Sequence, residues 1–383
     1  MKFPLYLDHN ATTPCDPTVV EAMLPWFTER FGNASSIHYP LGWLSEEAVE
    51  TAREQVADLI GASSKEIVFT SGATEAINMA LRGLIEANRK KGNHIITVGT
   101  EHKAVLDTCR ALEAKDITTT YLPVDKDGLV DLEMLERMIT KDTVLIAVMM
   151  ANNETGVIQP IAEIGQIAKK HGVFFLSDAV QAAGKVKVSV RDLGIDLMPI
   201  SAHKMYGPKG TGALYISSTF SKANLVSQIT GGGHEMGLRS GTLNVPGIVG
   251  FGKAAEIALK EMNKEAARIA ELRDVLEEGI LSLEGAKRNG HKDHRLPHVS
   301  NISFAGVEGK ALLIAINKEL AVSSGSACSS ITTKPSHVLK AMGLEDELAR
   351  STIRFGLGRS TTREQVDFAI AYVKETVGRL RGG

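Results

Sequence analysis

The stretch TVLIAVMM, residues 143–150, is apolar at every position after its threonine, and a helical pattern, IAEIGQIAKKHG (161–172), separates it from a second apolar run, VFFLSDA (173–179). A strand with one wet face alternates polar and apolar residues, whereas a strand covered on both faces has no need to. Apolar strands separated by amphipathic helices therefore predict an α/β domain built on a mainly parallel central sheet. The same rhythm continues outward. EIVFTS (66–71), HIITVG (94–99), TTYLPV (119–124), LMPISA (197–202) and GALYIS (212–217) read as further strands, and EAINMALRGLIEANRK (75–90) as a helix.

The pattern changes near residue 250. AAEIALKEMNKEAARIAELRDVLEEGILSL (254–283) is one long helical pattern in which a break is allowed. After it come VSNISFAG (299–306), GKALLIAINKE (309–319), STIRFGLG (351–358) and a closing helical pattern, TREQVDFAIAYVKETVGRL (362–380). This part reads as a smaller α+β domain. The expected division is a large domain at 15–255 and a small one at 256–383.

Composition bounds the function classes. The 383 residues are 43% hydrophobic and 23% charged with a formal net charge of -2, as in a soluble globular protein without a nucleic-acid surface. No apolar run reaches the ~18 residues of a membrane span. The opening MKFPLYLDHN meets Asp8 and His9 before a signal-peptide core could form. The three cysteines, Cys15, Cys109 and Cys328, form no CxxC pair and no disulfide framework, so a cytoplasmic enzyme is expected. His291, His294 and His298 have no standard zinc spacing and read as a polar surface loop, so no metal is expected.

In open α/β sheets ligands bind beyond the carboxyl ends of the strands, so polar residues just after strands carry the most information. Lys204 follows the LMPI strand and precedes a Gly/Pro turn in SAHKMYGPKG (201–210). There it reads either as a solvated lysine or as one that forms a Schiff base with a carbonyl compound. Asp178 ends FFLSD. It reads as a helix cap, as half of a core salt bridge, or as the partner of a protonated pyridine nitrogen such as that of pyridoxal phosphate (PLP). TSGATEAIN (70–78) offers a tight turn and a helix start that suit a single phosphate group, or a plain capped βα turn. His102 reads as a stacking or proton-shuttling imidazole or as a cap, and Asn152 and Asn153 as amides for a phenolic oxygen or as a polar turn. Cys328 sits in AVSSGSACSS (321–330), which is too polar for a structural cysteine. Cys109 reads as packed in a helix and Cys15 as lying in a turn.

Nine stretches, taken in order, carry a resemblance: YLDHNATT (6–13), TSGATEAIN (70–78), TEHKAV (100–105), NNETGVIQP (152–160), DAVQAAGK (178–185), SAHKMYGPKG (201–210), GGGHEMGLRSGT (231–242), SSGSACSS (323–330) and IRFGLGR (353–359). Together they resemble the cysteine desulfurases of the NifS/IscS type, in the class V branch of PLP-dependent aminotransferases. The resemblance implies a homodimer with the fold-type I PLP architecture, whose small domain is completed by residues 1–14. It implies that Lys204 carries PLP, Asp178 partners the ring nitrogen, His102 stacks on the ring, and Asn153 and Gln181 lie near its hydroxyl. Ala73, Thr74, Ser201 and His203 match phosphate binders, and Thr242 matches one that reaches the neighbouring subunit's phosphate. Arg354, assisted by Asn153, matches the binder of the substrate carboxylate, and Cys328 the sulfur-accepting nucleophile. The implied reaction converts L-cysteine to L-alanine and passes sulfur through an enzyme persulfide to an acceptor protein, an iron–sulfur scaffold by expectation. Relatives often carry a longer C-terminal tail for that docking than the RLRGG here. Kept beside this reading are a selenocysteine lyase, another class V enzyme that has no use for Cys328, and a non-enzymatic interaction protein.

Overall fold

The computed structural model describes residues 4–219, 225–324 and 335–382. Its strands, in chain order, are β1 (Leu5–Tyr6), β2 (Ile67–Thr70), β3 (His94–Val98), β4 (Thr118–Leu122), β5 (Thr143–Ala147), β6 (Phe174–Leu176), β7 (Leu197–Ser201), β8 (Gly212–Ile216), β9 (Ala286–Arg288), β10 (Val299–Phe304), β11 (Leu320–Ala321) and β12 (Thr352–Gly356).

The central sheet has the order β2-β8-β7-β6-β5-β3-β4. All seven strands expected from the sequence are in it. Every pair is parallel except those of β8, which runs against both β2 and β7. Alternate side chains feed two separate cores. Ile67, Phe69, Met198, Ile200, Ala213 and Tyr215 belong to one, and Val68, Leu197, Leu214 and Ile216 to the other. Burial on both faces is why these strands are apolar without alternation.

The long helix runs unbroken from Val245 to Leu281. No break occurs because its proline lies in the first turn, where its missing N–H is not needed. Its apolar side faces two bodies in turn. Phe251, Ala254, Ala255 and Ala258 pack on the large core, and Ile269, Leu276 and Ile280 on a third core with Leu312, Phe355 and Val373. Contact with helix Pro40–Ile60 is close enough that a Cβ on Gly252 would lie 2.5 Å from Ala52 Cα.

The smaller domain holds the antiparallel sheet β12-β10-β9, in which Asn301 faces Arg354. The chain start joins it. β1 pairs in parallel with β11, Asp8 bridges Gly356, and Leu5 and Leu7 enter the third core. His298 departs from expectation. It is 1% exposed just ahead of β10, and its carbonyl accepts the Leu357 N–H, so it belongs to the packed interior and not to a surface loop. Among the described residues no helix is long and apolar enough to cross a membrane.

Candidate active site

The carboxyl ends of β2, β3, β5, β6 and β7 open onto one cavity of about 600 Å³. It is lined by Ala73 and Thr74 after β2, His102 after β3, Asn153 after β5, Asp178 and Gln181 after β6, and Ser201, His203 and Lys204 at the end of β7. Arg354 enters from β12 of the smaller domain. Ten residues singled out in the sequence thus meet in one place.

Lys204 closes the short 3-10 turn Ala202–Lys204. Its Nζ donates to the carbonyl oxygens of Asn10 (2.5 Å) and Ala11 (2.7 Å), and Gln181 Nε2 donates to the same Asn10 oxygen (3.0 Å). The chain start is laced further along this turn. Thr13 Oγ1 donates to the His203 carbonyl and accepts the Tyr206 N–H, and His203 Nδ1 lies 3.1 Å from Thr12 Oγ1. Burial pulls the His203 imidazole down to about 4.

Asp178 is 4% exposed, and its Oδ1 accepts the Val180 N–H at 2.9 Å. Burial pushes its carboxyl up to about 6, against the pull of that N–H and of the Lys204 cation. His102 is a helix cap, on Lys103–Glu113, and it also lines the cavity. Its Nδ1 accepts the Ala104 N–H at 3.1 Å, which puts the neutral ring's proton on Nε2. Burial, then Lys204, His337 and Lys103, hold it below the usual imidazole range.

The two asparagines separate. Asn152 is the polar turn: its Oδ1 accepts from the Glu154 and Thr155 N–H groups and its Nδ2 donates to Thr100 O. Asn153 faces the cavity, and its carbonyl accepts from Arg354 Nη1 (2.8 Å). Arg354 is 1% exposed, and its Nη2 is paired with Asp8 at 2.6 Å. At the turn before helix Ala73–Ala87, Ser71 N and Oγ bond Glu75, which Arg239 holds at 2.7 Å. β8 passes so close that a Cβ on Gly212 would lie 2.7 Å from Gly72 Cα.

Thr242 is exposed and does not line its own chain's cavity. Cys328 lies outside the described residues. Cys109 is buried, with its thiol pushed up to about 12 by burial and by Glu101 and Glu113.

Several groups in or beside the cavity were not anticipated. Asn10, Ala11 and Thr12 come from the chain start, whose motif carried no assigned role. Glu101, next to His102, is wholly buried. Its Oε1 accepts the Met149 N–H at 2.5 Å, Oε2 has no hydrogen bond, and burial, with Asp178 adding, holds the carboxyl well above its usual range. Glu154 accepts from Ser336 Oγ at 2.5 Å, and His337 Nε2 lies 3.0 Å from the Glu101 carbonyl oxygen.

The aminotransferase class V model matches residues 5–368. A cysteine desulfurase IscS from Anaeromyxobacter sp. (strain Fw109-5) is 55% identical over all of this chain and 94% of its own length. Among solved structures, a NifS-like protein superposes with a TM-score of 0.91 at 39% identity, covering 98% of this chain and 100% of its own. SspA in complex with cysteine superposes at 0.82 with 38% identity, covering 92% and 98%. The chain belongs to the NifS/IscS-type cysteine desulfurases of aminotransferase class V. Members of this family depend on PLP, and PLP is the cofactor of this enzyme. The cysteine desulfurase fold accounts for the large mixed α/β domain and its smaller companion.

Proposed function

We propose that the enzyme takes sulfur from L-cysteine, leaves L-alanine, and carries the sulfur as a persulfide on Cys328. The observation that carries this reading is the convergence of Lys204, Asp178, His102 and Arg354 on one cavity. The cavity suits PLP. Asp178 is a buried carboxylate for which a ring N–H is a natural partner, and small residues and a helix start offer room and N–H groups for one phosphate.

Bound PLP supplies an electron sink for the charge that develops when the substrate loses its α-proton. Lys204 Nζ would hold the cofactor and would carry that proton. Asp178 would keep the ring nitrogen protonated, and His102 would lie against the ring. Ala73, Thr74, Ser201 and His203 hold the phosphate, and Asn153 and Gln181 the ring hydroxyl. Arg354 binds the substrate carboxylate. The Cys328 thiolate attacks the substrate sulfur. The C–S bond breaks with its electron pair going to carbon, an S–S bond forms, and one proton completes the methyl group of alanine. No outside oxidant or reductant is needed.

The active unit is read as a homodimer. Leu24, Phe27, Phe31, Ile37 and Trp43 are all more than half exposed in the single chain, an apolar patch that suits a second copy. Thr242 would then serve the neighbour's phosphate. The persulfide passes to an acceptor protein, for which an iron–sulfur scaffold is the first choice. A thiol that carries sulfur this way suits a reducing cytoplasm. The division between domains is proposed at 255/256 with residues 1–14 in the small one; near it, the long helix packs on the large core as far as Ala258 and on the third core from Ile269.

Two measurements test the reading. Borohydride reduction followed by peptide mapping should place the pyridoxyl label on Lys204; a label on another lysine refutes that role. With L-cysteine and no reductant, the Cys328 peptide should gain one sulfur atom while alanine appears in equal amount. Cys328→Ser should stay yellow and form no persulfide, with Cys15→Ser and Cys109→Ser unaffected. Full activity in Cys328→Ser would favour direct elimination or a selenocysteine lyase.

A further inference from the structure

One acidic side chain stands in the cavity wall on the helix whose start would hold a phosphate group. Helix Ala73–Ala87 begins on Gly72 with no side-chain cap, and Gly72, Ala73, Thr74 and Glu75 all line the cavity. The first N–H groups of a helix attract an anion, and the acid in this first turn is the helix's own Glu75. Its side chain turns back toward the preceding turn, where Oε2 accepts the Ser71 N–H at 2.9 Å and the Ser71 hydroxyl. Burial opposes its charge, but the hydrogen bonds from Arg239 and Ser71 outweigh burial and hold the carboxyl below its usual range. Glu75 is thus a carboxylate, and unbalanced it would repel a phosphate at the same helix start. Arg239 balances it. Nε donates to Glu75 Oε1 at 2.7 Å and Nη2 lies 3.4 Å from Oε2, with the two side chains 20% and 15% exposed. The loop that brings Arg239 is itself fixed. The Ser240 N–H donates to the Ile229 carbonyl at 3.0 Å, the Gly241 N–H donates to His234 Nδ1 at 3.2 Å, and Arg53 holds Glu235 at 2.8 Å. Glu235 and Met236 have φ of 49° and 59°, a left-handed pair that persists only where the surroundings hold it.

We propose that Arg239 is a positioning residue for the cofactor's phosphate: it cancels the Glu75 charge and keeps that carboxylate folded onto Ser71, which leaves the start of helix Ala73–Ala87 open to the phosphate. The proposal rests on the phosphate site proposed above. Arg239 acts through Glu75 and does not line the cavity itself. A purely structural tie between the loop and the helix would affect every ligand of the cavity, whereas a charge balance affects the one that carries a phosphate.

The test measures equilibrium binding of PLP and of pyridoxal to the cofactor-free protein. Pyridoxal has the same ring and aldehyde, with a hydroxyl in place of the phosphate ester. An unbalanced unit charge about one helical turn from the phosphate, at an effective dielectric constant of about 20, weakens binding by on the order of tenfold to a hundredfold. Arg239→Gln should lose that factor for PLP and less than about twofold for pyridoxal, which has no charge to repel. Arg239→Lys keeps the cation and should lose less than Arg239→Gln. Arg239→Gln combined with Glu75→Gln removes both charges and should bind PLP within about threefold of the wild type. Glu75→Gln alone, which leaves the loop and its cation in place, should bind PLP more tightly and pyridoxal as before. An equal loss for both ligands in Arg239→Gln, no loss, a loss that Glu75→Gln does not relieve, or weaker PLP binding by Glu75→Gln alone overturns the proposal. If the wild-type protein binds PLP no more tightly than pyridoxal, the phosphate site itself fails; if it prefers PLP and Arg239→Gln keeps the same preference, only the role of Arg239 fails.

Discussion

Arg354→Lys probes how the substrate carboxylate is held. A guanidinium has five N–H donors. Asp8 takes one from Nη2 and the Asn153 carbonyl takes one from Nη1, while Nε is buried with no partner. Donors remain on both Nη atoms for a two-pronged grip on a carboxylate in the cavity. A lysine has three donors, and the same two protein acceptors would leave it one. The substitution therefore removes one charge-assisted hydrogen bond, about 1.5–3 kcal/mol, or roughly 13- to 160-fold in affinity. The assay is spectral titration of the PLP-loaded enzyme with L-cysteine and with cysteamine, which has the same amine and thiol but no carboxylate. Affinity for L-cysteine should fall by that factor and affinity for cysteamine by less than about threefold. An equal loss for both ligands would mean that Arg354 only shapes the site, and no loss for either would mean that it does not meet the substrate.

Two further outcomes concern the scaffold. Asp178 has a folded-state pKa of about 6 against an ordinary 3.8, so its contribution to stability is fully present below 3.8 and is lost as pH rises through 6. The cofactor-free protein should lose roughly 2.4 kcal/mol between pH 4 and pH 7 relative to Asp178→Asn, read by urea unfolding; parallel curves for the two proteins refute the assignment. Glu235→Gln breaks a buried pair in which Arg53 Nη1 and Nη2 each reach the carboxylate at 2.8 Å and the Phe69 N–H donates to it as well. It should cost about 3–5 kcal/mol by taking the buried carboxylate from Arg53, which keeps only the exposed Glu50 as an ion partner. Arg53→Met combined with Glu235→Leu should cost less than the sum of the single changes, and strict additivity would refute the pairing.

The strands were legible because burial on both faces writes itself into composition. The direction of β8 was not read from composition, although a signal existed. Only residues 202–211 separate it from β7, too few for the crossover helix that a parallel strand requires. Lys204, Asp178 and His102 stood out because each breaks an apolar run at a strand end. Glu101 and Glu154 stood beside flagged residues, yet nothing local says that a carboxylate is buried or what lies over it. Asn10, Ala11 and His337 reach the cavity only through contacts more than 190 positions apart in sequence, which no window along the chain can contain. His298 was misread for the opposite reason: a polar neighbourhood in sequence concealed a buried position next to β10.

The ion pair between Asp8 and Arg354 joins positions 346 apart, and Lys204 leans on carbonyls that lie ahead of Ala11's neighbour Thr12. A ribosome adding about 5–20 residues per second needs on the order of tens of seconds to deliver Arg354 after Asp8. During that interval the first residues must wait outside the growing sheet. A nascent or prematurely terminated chain can build much of the central sheet, but it has no carboxylate clamp and no closing strand for its start. Sulfur chemistry is thus withheld from incomplete chains by topology alone, and quality control of synthesis is built into the order in which the pieces arrive.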